Sequence, residues 1–166
     1  CIGEEVTISG PRIDLHSGDF GGPAANPIRI LAAILAAMHD GNGRIAIPGF
    51  YRGVKPPPAA LRRQWQALRF PARNFLRHVG LREPAGERGF SALEQIWARP
   101  TAEVNGIWGG YQGEGAKTVI PSKAFAKFST RLVPNQNPDK IAQLVEKYVR
   151  KLLPKTAHCK FEVLSK

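Results

Sequence analysis

Three polar side chains lie at the ends of apolar runs, where they could bind a ligand: His16, Thr118 and Arg131. An imidazole such as that of His16 can donate a hydrogen bond or carry a positive charge near neutral pH. A guanidinium binds a carboxylate through two parallel hydrogen bonds, a geometry that lysine does not provide. Ser17 is no nucleophile for His16, because adjacent side chains in an extended segment point apart.

A glycine-dense segment precedes Arg131 in the sequence and spans residues 109–121, with the sequence GGYQGEGAKTVIP. Glycines let the backbone approach a ligand closely, so this segment is a candidate binding loop. It is not a typical phosphate-binding loop, because Ala116 separates Gly115 from Lys117 and a strand-like run follows where a helix is required.

Each candidate residue also has a purely structural interpretation. His16 could be a loop histidine that is hydrogen-bonded to Asp14. Thr118 could be a β-branched residue that begins a strand. Arg131 could face solvent or form a structural ion pair at a strand end. The residue types alone leave both interpretations open.

The elements that would position these residues follow the order β-α-insertion-β-β-α-β. This order predicts an α+β, ferredoxin-like antiparallel sheet with two helices on one face and a helical insertion after the first helix. Asn-Pro pairs at 26–27 and 137–138 are typical helix starts. A Gly10-Pro11 interruption in the first strand predicts a bulge or an edge position. The strands are expected at Glu5–Leu15, Glu103–Tyr111, Val119–Val133 and Cys159–Leu164, and the insertion at 44–100.

The chain of 166 residues fits one domain with a net charge of +11. Residues 52–99 carry ten Lys and Arg against three Glu, and so supply +7 of that charge. A solvated basic face explains this better than a nucleic-acid patch, because the arginines are spread singly. The apolar stretch from Ile30 to Met38 is too short to cross a bilayer. Cys1 and Cys159 form no disulfide framework, so we expect a cytoplasmic location.

Three motifs in order carry a family resemblance: Asp14-Leu15-His16-Ser17-Gly18, the glycine segment, and the sequence STRLVPNQ at 129–136. Together they resemble the carnosinase and nonspecific-dipeptidase branch of the zinc metallopeptidases, within the acetylornithine deacetylase and succinyl-diaminopimelate desuccinylase superfamily. Such enzymes have a zinc-binding catalytic domain interrupted by an inserted dimerisation, or lid, domain. The resemblance covers nearly the whole chain, so residues 1–166 look like the lid domain alone.

The resemblance implies that the two zinc ions belong to a catalytic domain that this chain lacks. The family's His-x-Asp motif is absent, and the four histidines have no second ligand at a suitable spacing. We therefore expect no cofactor bound by this chain and no peptidase activity from it alone. The whole protein is expected to be a homodimer that hydrolyses amide bonds in dipeptides or N-acyl amino acids.

The resemblance also implies residue roles. His16 would reach into the partner protomer's active site and stabilise the oxyanion formed when zinc-bound water attacks the amide. Thr118 and nearby amides, including that of Gly115, would bind the carboxylate end of the substrate. Arg131 would hold the free carboxylate of that substrate.

Two alternatives from other classes use the same fold. The first is a free-standing nucleic-acid-binding module, which the basic charge favours and which the lack of paired exposed aromatics on the middle strands disfavours. The second is an amino-acid sensor, in which the glycine segment binds the ligand allosterically.

Overall fold

In a computed structural model that describes all residues 1–166, the chain forms a four-stranded antiparallel sheet, several helices and a small second sheet. The order along the chain is β1 (Ile2–Ser9), β2 (Leu15–His16), α1 (Ser17–Phe20), α2 (Pro27–Ala36), α3 (Ala59–Ala67), α4 (Ala72–His78), α5 (Ala92–Trp97), β3 (Thr101–Gly109), β4 (Val119–Ile120), β5 (Lys123–Arg131), α6 (Pro138–Leu152) and β6 (His158–Ser165). The main sheet has the order β3-β5-β1-β6, which is the predicted ferredoxin-like arrangement.

The core lies between one face of this sheet and the helices α2 and α6. Alternate residues of β1 and β5 point into it, as the period of two requires, and the buried faces of both helices cover them. Asn26 and Asn137 cap the two helices with their side-chain oxygens, and a proline follows each cap. Both predicted helix starts are therefore confirmed.

The first strand is shorter than predicted and is not at an edge. It ends at Ser9, and the chain leaves the main sheet at Gly10-Pro11 before it pairs again as β2. Proline has no N–H to donate to a ladder, which explains the break. β1 itself lies between β5 and β6, so Gly10-Pro11 marks neither the predicted bulge nor an edge position but the end of the strand.

The predicted strand from Val119 to Val133 is two strands in the structure. Val119 and Ile120 form β4, which pairs with Leu15 and His16 in the small second sheet. After Pro121 the chain joins the main sheet as β5, where it pairs with both β1 and β3. This separation places the residues around His16 and Thr118 outside the main sheet.

The insertion contains α3, α4 and α5, and one buried charged group attaches it to the domain. Arg99 donates to Glu87 from Nε (2.8 Å) and from Nη2 (2.9 Å), and both side chains are largely buried. Arg44 and the hydroxyl of Tyr51 donate to the same carboxylate at 3.3 and 3.2 Å. The carboxylate thus joins residues before, within and after the insertion helices. Near the start of the insertion, Ile45 forms a single antiparallel bridge to His39.

The first residues of β1 and the last residues of β6 lie side by side, because Gly3 pairs with Ser165. Arg131 lies at this same end of the sheet, since its neighbour Thr130 pairs with Ile2. The small second sheet lies at the opposite end, where Gly10 donates to the carbonyl of Ser122 at 3.0 Å.

Candidate functional site

His16 and Thr118 lie 102 residues apart in the sequence and touch in the structure. Pairing of β2 with β4 brings them together, and the amide of Ser17 donates to the carbonyl of Thr118 at 2.9 Å. The hydroxyl oxygen of Thr118 lies 3.0 Å from Nε2 of His16. Both side chains are exposed, so a ligand can reach them.

The hydrogen bonds define which groups of this pair remain free. The amide of Gly18 donates to Nδ1 of His16 at 3.0 Å, so Nδ1 is the unprotonated nitrogen in this arrangement. The proton then resides on Nε2 and is donated to the hydroxyl oxygen of Thr118. The hydroxyl hydrogen of Thr118 is therefore left to donate to a ligand oxygen. The pair can act as one hydrogen-bond donor that His16 orients.

Gly18 and Asp14 hold this arrangement in place. A Cβ atom on Gly18 would lie 2.6 Å from Cε1 of His16, which is closer than real Cβ contacts. Asp14 accepts a hydrogen bond from the amide of Ser122 at 2.7 Å, and this bond lowers the pKa of Asp14. Asp14 thus ties the loop before His16 to the main sheet. It is not the hydrogen-bond partner of His16, contrary to the structural alternative considered above.

The glycine segment between β3 and β4 forms an exposed loop beside this pair. Gly115 has a φ of +79°, a backbone conformation that favours glycine, and nothing lies near its Cα on the side-chain side. The hydroxyl of Tyr111 donates to the carbonyl of Glu114 at 2.7 Å and closes the loop. The backbone around Gly115 is therefore open to a ligand.

Arg131 is not part of this cluster. It is the last residue of β5 and lies roughly 25 Å along that strand from Lys123, near which Thr118 is found. Its side chain is exposed, and it forms no ion pair within the chain. Of the four site residues predicted from the sequence, the structure brings together His16, Thr118 and the loop of Gly115, and it separates Arg131 from them.

Sequence reasoning did not assign roles to Gly18 and Asp14, although both belong to the motif around His16. Each lies two residues from the histidine in the sequence, which could have pointed to them. Their contacts with His16 and Ser122 are visible only in the structure. Trp97 and Trp108 are both substantially exposed and do not belong to the core.

No group of three or more His, Cys, Asp or Glu side chains could hold a metal ion in this chain. The zinc ions that the family resemblance implies would belong to a catalytic domain outside residues 1–166. No helix is long and apolar enough to cross a membrane.

Comparison with known proteins identifies the family to which this domain belongs. The family model described as the peptidase dimerisation domain matches residues 3–157. The chain therefore belongs to the peptidase dimerisation domain family. This result confirms the resemblance predicted from the three motifs and does not favour a nucleic-acid module or an amino-acid sensor.

The relatives that the chain resembles are named as dipeptidases. The chain is 33% identical over 148 residues to the Cys-Gly metallodipeptidase of Saccharomyces cerevisiae, a match that covers 89% of this chain and 31% of that protein. It is 30% identical over 142 residues to the Beta-Ala-His dipeptidase of Homo sapiens, which covers 86% of this chain and 28% of that protein. The chain thus spans about a third of the length of these relatives.

Solved structures of this class show the same fold. The dipeptidase Dug1p of Saccharomyces cerevisiae superposes with a TM-score of 0.84 at 30% identity, over 99% of this chain and 35% of the other. Human carnosine dipeptidase 1 superposes with a TM-score of 0.87 at 26% identity, over 99% of this chain and 36% of the other.

Proposed function

We propose that this chain is the inserted lid domain of a homodimeric, metal-dependent dipeptidase. In this proposal the domain binds the substrate and pairs two copies, while the metal ions, two zinc ions as the resemblance implies, belong to a catalytic domain outside residues 1–166. The substrate is a dipeptide or N-acyl amino acid with a free carboxylate. The single observation that carries the proposal is the His16–Thr118 pair at 3.0 Å on a peptidase dimerisation fold. The two unpaired cysteines fit a cytoplasmic location.

The separation of Arg131 from His16 and Thr118 supports a site shared between two copies. One substrate of dipeptide size cannot span roughly 25 Å, about the length of β5. Arg131 lies at the end of the sheet where a flanking domain can join β1 and β6, so it serves the active site of its own polypeptide. His16 and Thr118, at the far end, serve the site of the partner.

The free edge of β3 is the surface that best fits the dimer contact. Val104 and Ile107 lie on the face that is core elsewhere in the sheet, yet Ile107 remains 53% exposed. Ile28 of α2 lines the same apolar cleft of about 240 Å³ as Ile107. An unpaired edge with exposed apolar side chains readily pairs with a second copy, and a two-fold axis makes the two surfaces identical.

Within the shared site, each residue has a role that its contacts support. His16, which the resemblance assigns to the oxyanion, acts in this proposal through Thr118, which the resemblance assigns to the carboxylate end. The Thr118 hydroxyl, oriented by Nε2–H of His16, donates a hydrogen bond to the oxygen that becomes negative as the amide is attacked. The open backbone at Gly115 is placed to contact the carboxylate end of the substrate. Arg131, which has no partner in its own chain, binds the carboxylate itself. When bound, the metal ions supply the activated water.

A mixed dimer tests this arrangement in the full-length protein. His16→Ala and Arg131→Ala each remove one contribution from every site, so each homodimer is expected to be nearly inactive. A purified heterodimer of the two variants contains one site with both residues, and we expect about half of wild-type activity from it. Activity no higher than that of the two homodimers would contradict a shared site.

The same experiment has a control for the interface. Placing Ile107→Asp in both chains puts a charge on the apolar edge of β3 and is expected to abolish the rescue by separating the copies. Sedimentation of this variant as a dimer would contradict the interface and leave the shared site to be explained by another contact.

A further inference from the structure

Arg131 shares a cleft with the insertion. The cleft has a volume of about 530 Å³ and lies between the end of β5 and α5. Ile96 and Trp97 of α5 line one side, and Leu132, Val133 and Pro134, which follow Arg131, line another. The exposed Arg131 side chain therefore shares an open cleft with an apolar surface.

The two α5 side chains are unusually exposed for their type. Ile96 is 53% exposed and Trp97 is 52% exposed, and both contribute to the cleft. Contact of an apolar ligand group with these side chains removes apolar surface from water and is favourable. The cleft is thus suited to bind an apolar group at Ile96 and Trp97 beside a carboxylate at Arg131.

The apolar surface is held rigidly relative to Arg131. Ser91 and Glu94 form a capping box at the start of α5. The side-chain amide of Gln95 donates to the carbonyls of Glu87 (3.0 Å) and Phe90 (3.2 Å). Trp97 packs edge to face on Trp65 of α3, with 5.5 Å between ring centroids. Because Ile96 and Trp97 are already held in place, ligand binding does not incur the entropy cost of ordering these side chains.

We propose that Ile96 and Trp97 form a specificity subsite for the side chain of the substrate's carboxyl-terminal residue. This inference rests on the proposed role of Arg131 in binding the carboxylate of that residue. The carboxylate and the side chain leave the same carbon atom, so a carboxylate at Arg131 places the side chain within the same cleft. Large apolar side chains are preferred, because Ile96 and Trp97 supply exposed apolar surface beside Arg131.

The test uses the full-length protein and three dipeptides that share one amino-terminal residue and end in Gly, Leu or Phe. Trp97→Ala is expected to raise KM for the Leu and Phe dipeptides about tenfold while changing that for the Gly dipeptide less than twofold. Trp97→Phe is expected to retain most of the preference. Phe75→Ala changes an exposed aromatic of α4 that does not line the cleft, and it is the matched control.

Ile96→Ser provides a second variant, because Ile96 does not share the Trp65 stacking of Trp97 and its change leaves that packing intact. The same loss of preference for Leu and Phe is expected. An equal effect on all three dipeptides, from either variant that folds, would overturn the subsite. Arg131→Ala tests the underlying role separately, since it should raise KM for all three dipeptides. No effect of that change would overturn the proposed function and not only the subsite.

Discussion

At the scale of single residues, the candidate site depends on a glycine as much as on its polar groups. The imidazole of His16 occupies the space where Gly18 would carry a Cβ, and the Gly18 amide fixes which nitrogen bears the proton. The direction of the Thr118 hydroxyl hydrogen follows from that choice. The chain of hydrogen bonds from the Gly18 amide through Nδ1 and Nε2 of His16 thus determines that the Thr118 hydroxyl is the donor available to a ligand.

Gly18→Ala is expected to displace His16 and to lower kcat of the full-length protein by about tenfold or more, as a loss of positioning does. KM should change little, because Arg131 and the rest of the binding surface are untouched. Steady-state kinetics measures the split between the two constants. Gly41→Ala is the matched control, since a Cβ there meets no atom within 4 Å. Wild-type kcat in Gly18→Ala would show that the ring position is not required.

The sequence predicted the identity of the site residues better than their grouping. His16 and Thr118 were each assigned a binding role, but only the pairing of β2 with β4 shows that they act on each other. Arg131 was expected to share the carboxylate with Thr118, and the length of β5 places it elsewhere in the same copy. Long-range pairing of two-residue strands leaves no periodic pattern in a sequence, so this grouping could not be predicted.

At the scale of elements, caps and proline positions predicted the helices, and strand ends were the weak point. The Asn-Pro starts of α2 and α6 appear in the structure as the sequence indicated. The two strand predictions failed at prolines 11 and 121, where the chain leaves one sheet for another. A local pattern shows that a strand is interrupted but not which partner it takes next.

The Glu87 cluster is expected to stabilise the contact between α5 and the sheet. Glu87→Gln leaves the buried Arg99 without its carboxylate, and breaking a buried pair in this way costs about 3–5 kcal/mol. Chemical denaturation measures the loss. Glu146→Gln breaks the exposed pair of Glu146 with Arg150 and should cost less than about 1 kcal/mol. Equal costs for the two variants would mean that the cluster does not stabilise the fold.

At the scale of the whole molecule, the core contains an acid. Glu4 lies on the same face of β1 as Val6 and is completely buried, with no hydrogen-bond partner for either carboxylate oxygen within the chain. Burial raises the pKa of Glu4 from 4.5 to about 8, so its side chain is neutral at physiological pH. The alternation in β1 places position 4 inside and Glu5 on the opposite face of the sheet.

The raised pKa of Glu4 predicts a domain that loses stability as pH rises. Below about pH 4.5 the group is protonated in both folded and unfolded chains, and its contribution is fully present. Between about 4.5 and 8 only the unfolded chain ionises, so the free energy of unfolding falls by up to about 1.4 kcal/mol per pH unit. Urea unfolding from pH 5 to pH 8 measures this slope.

Glu4→Gln should flatten that slope, because the amide does not titrate. Glu5→Gln is the matched control, since Glu5 is the next residue and only pairs with Lys127 at 3.5 Å on the other face of the sheet. The control should keep the wild-type slope. A slope that persists unchanged in Glu4→Gln would assign the pH dependence to other groups.

The first and last strands of the chain, β1 and β6, are neighbours in the sheet, and this arrangement has a consequence for how the domain is connected. Because Gly3 pairs with Ser165, a polypeptide that continues in both directions enters and leaves this domain through two neighbouring strands. Arg131 lies at the end of the sheet that carries these two connections, whereas His16 and Thr118 lie at the opposite end, about the length of β5 away. Any small rotation of the domain about the connections would therefore displace the pair farther than the arginine.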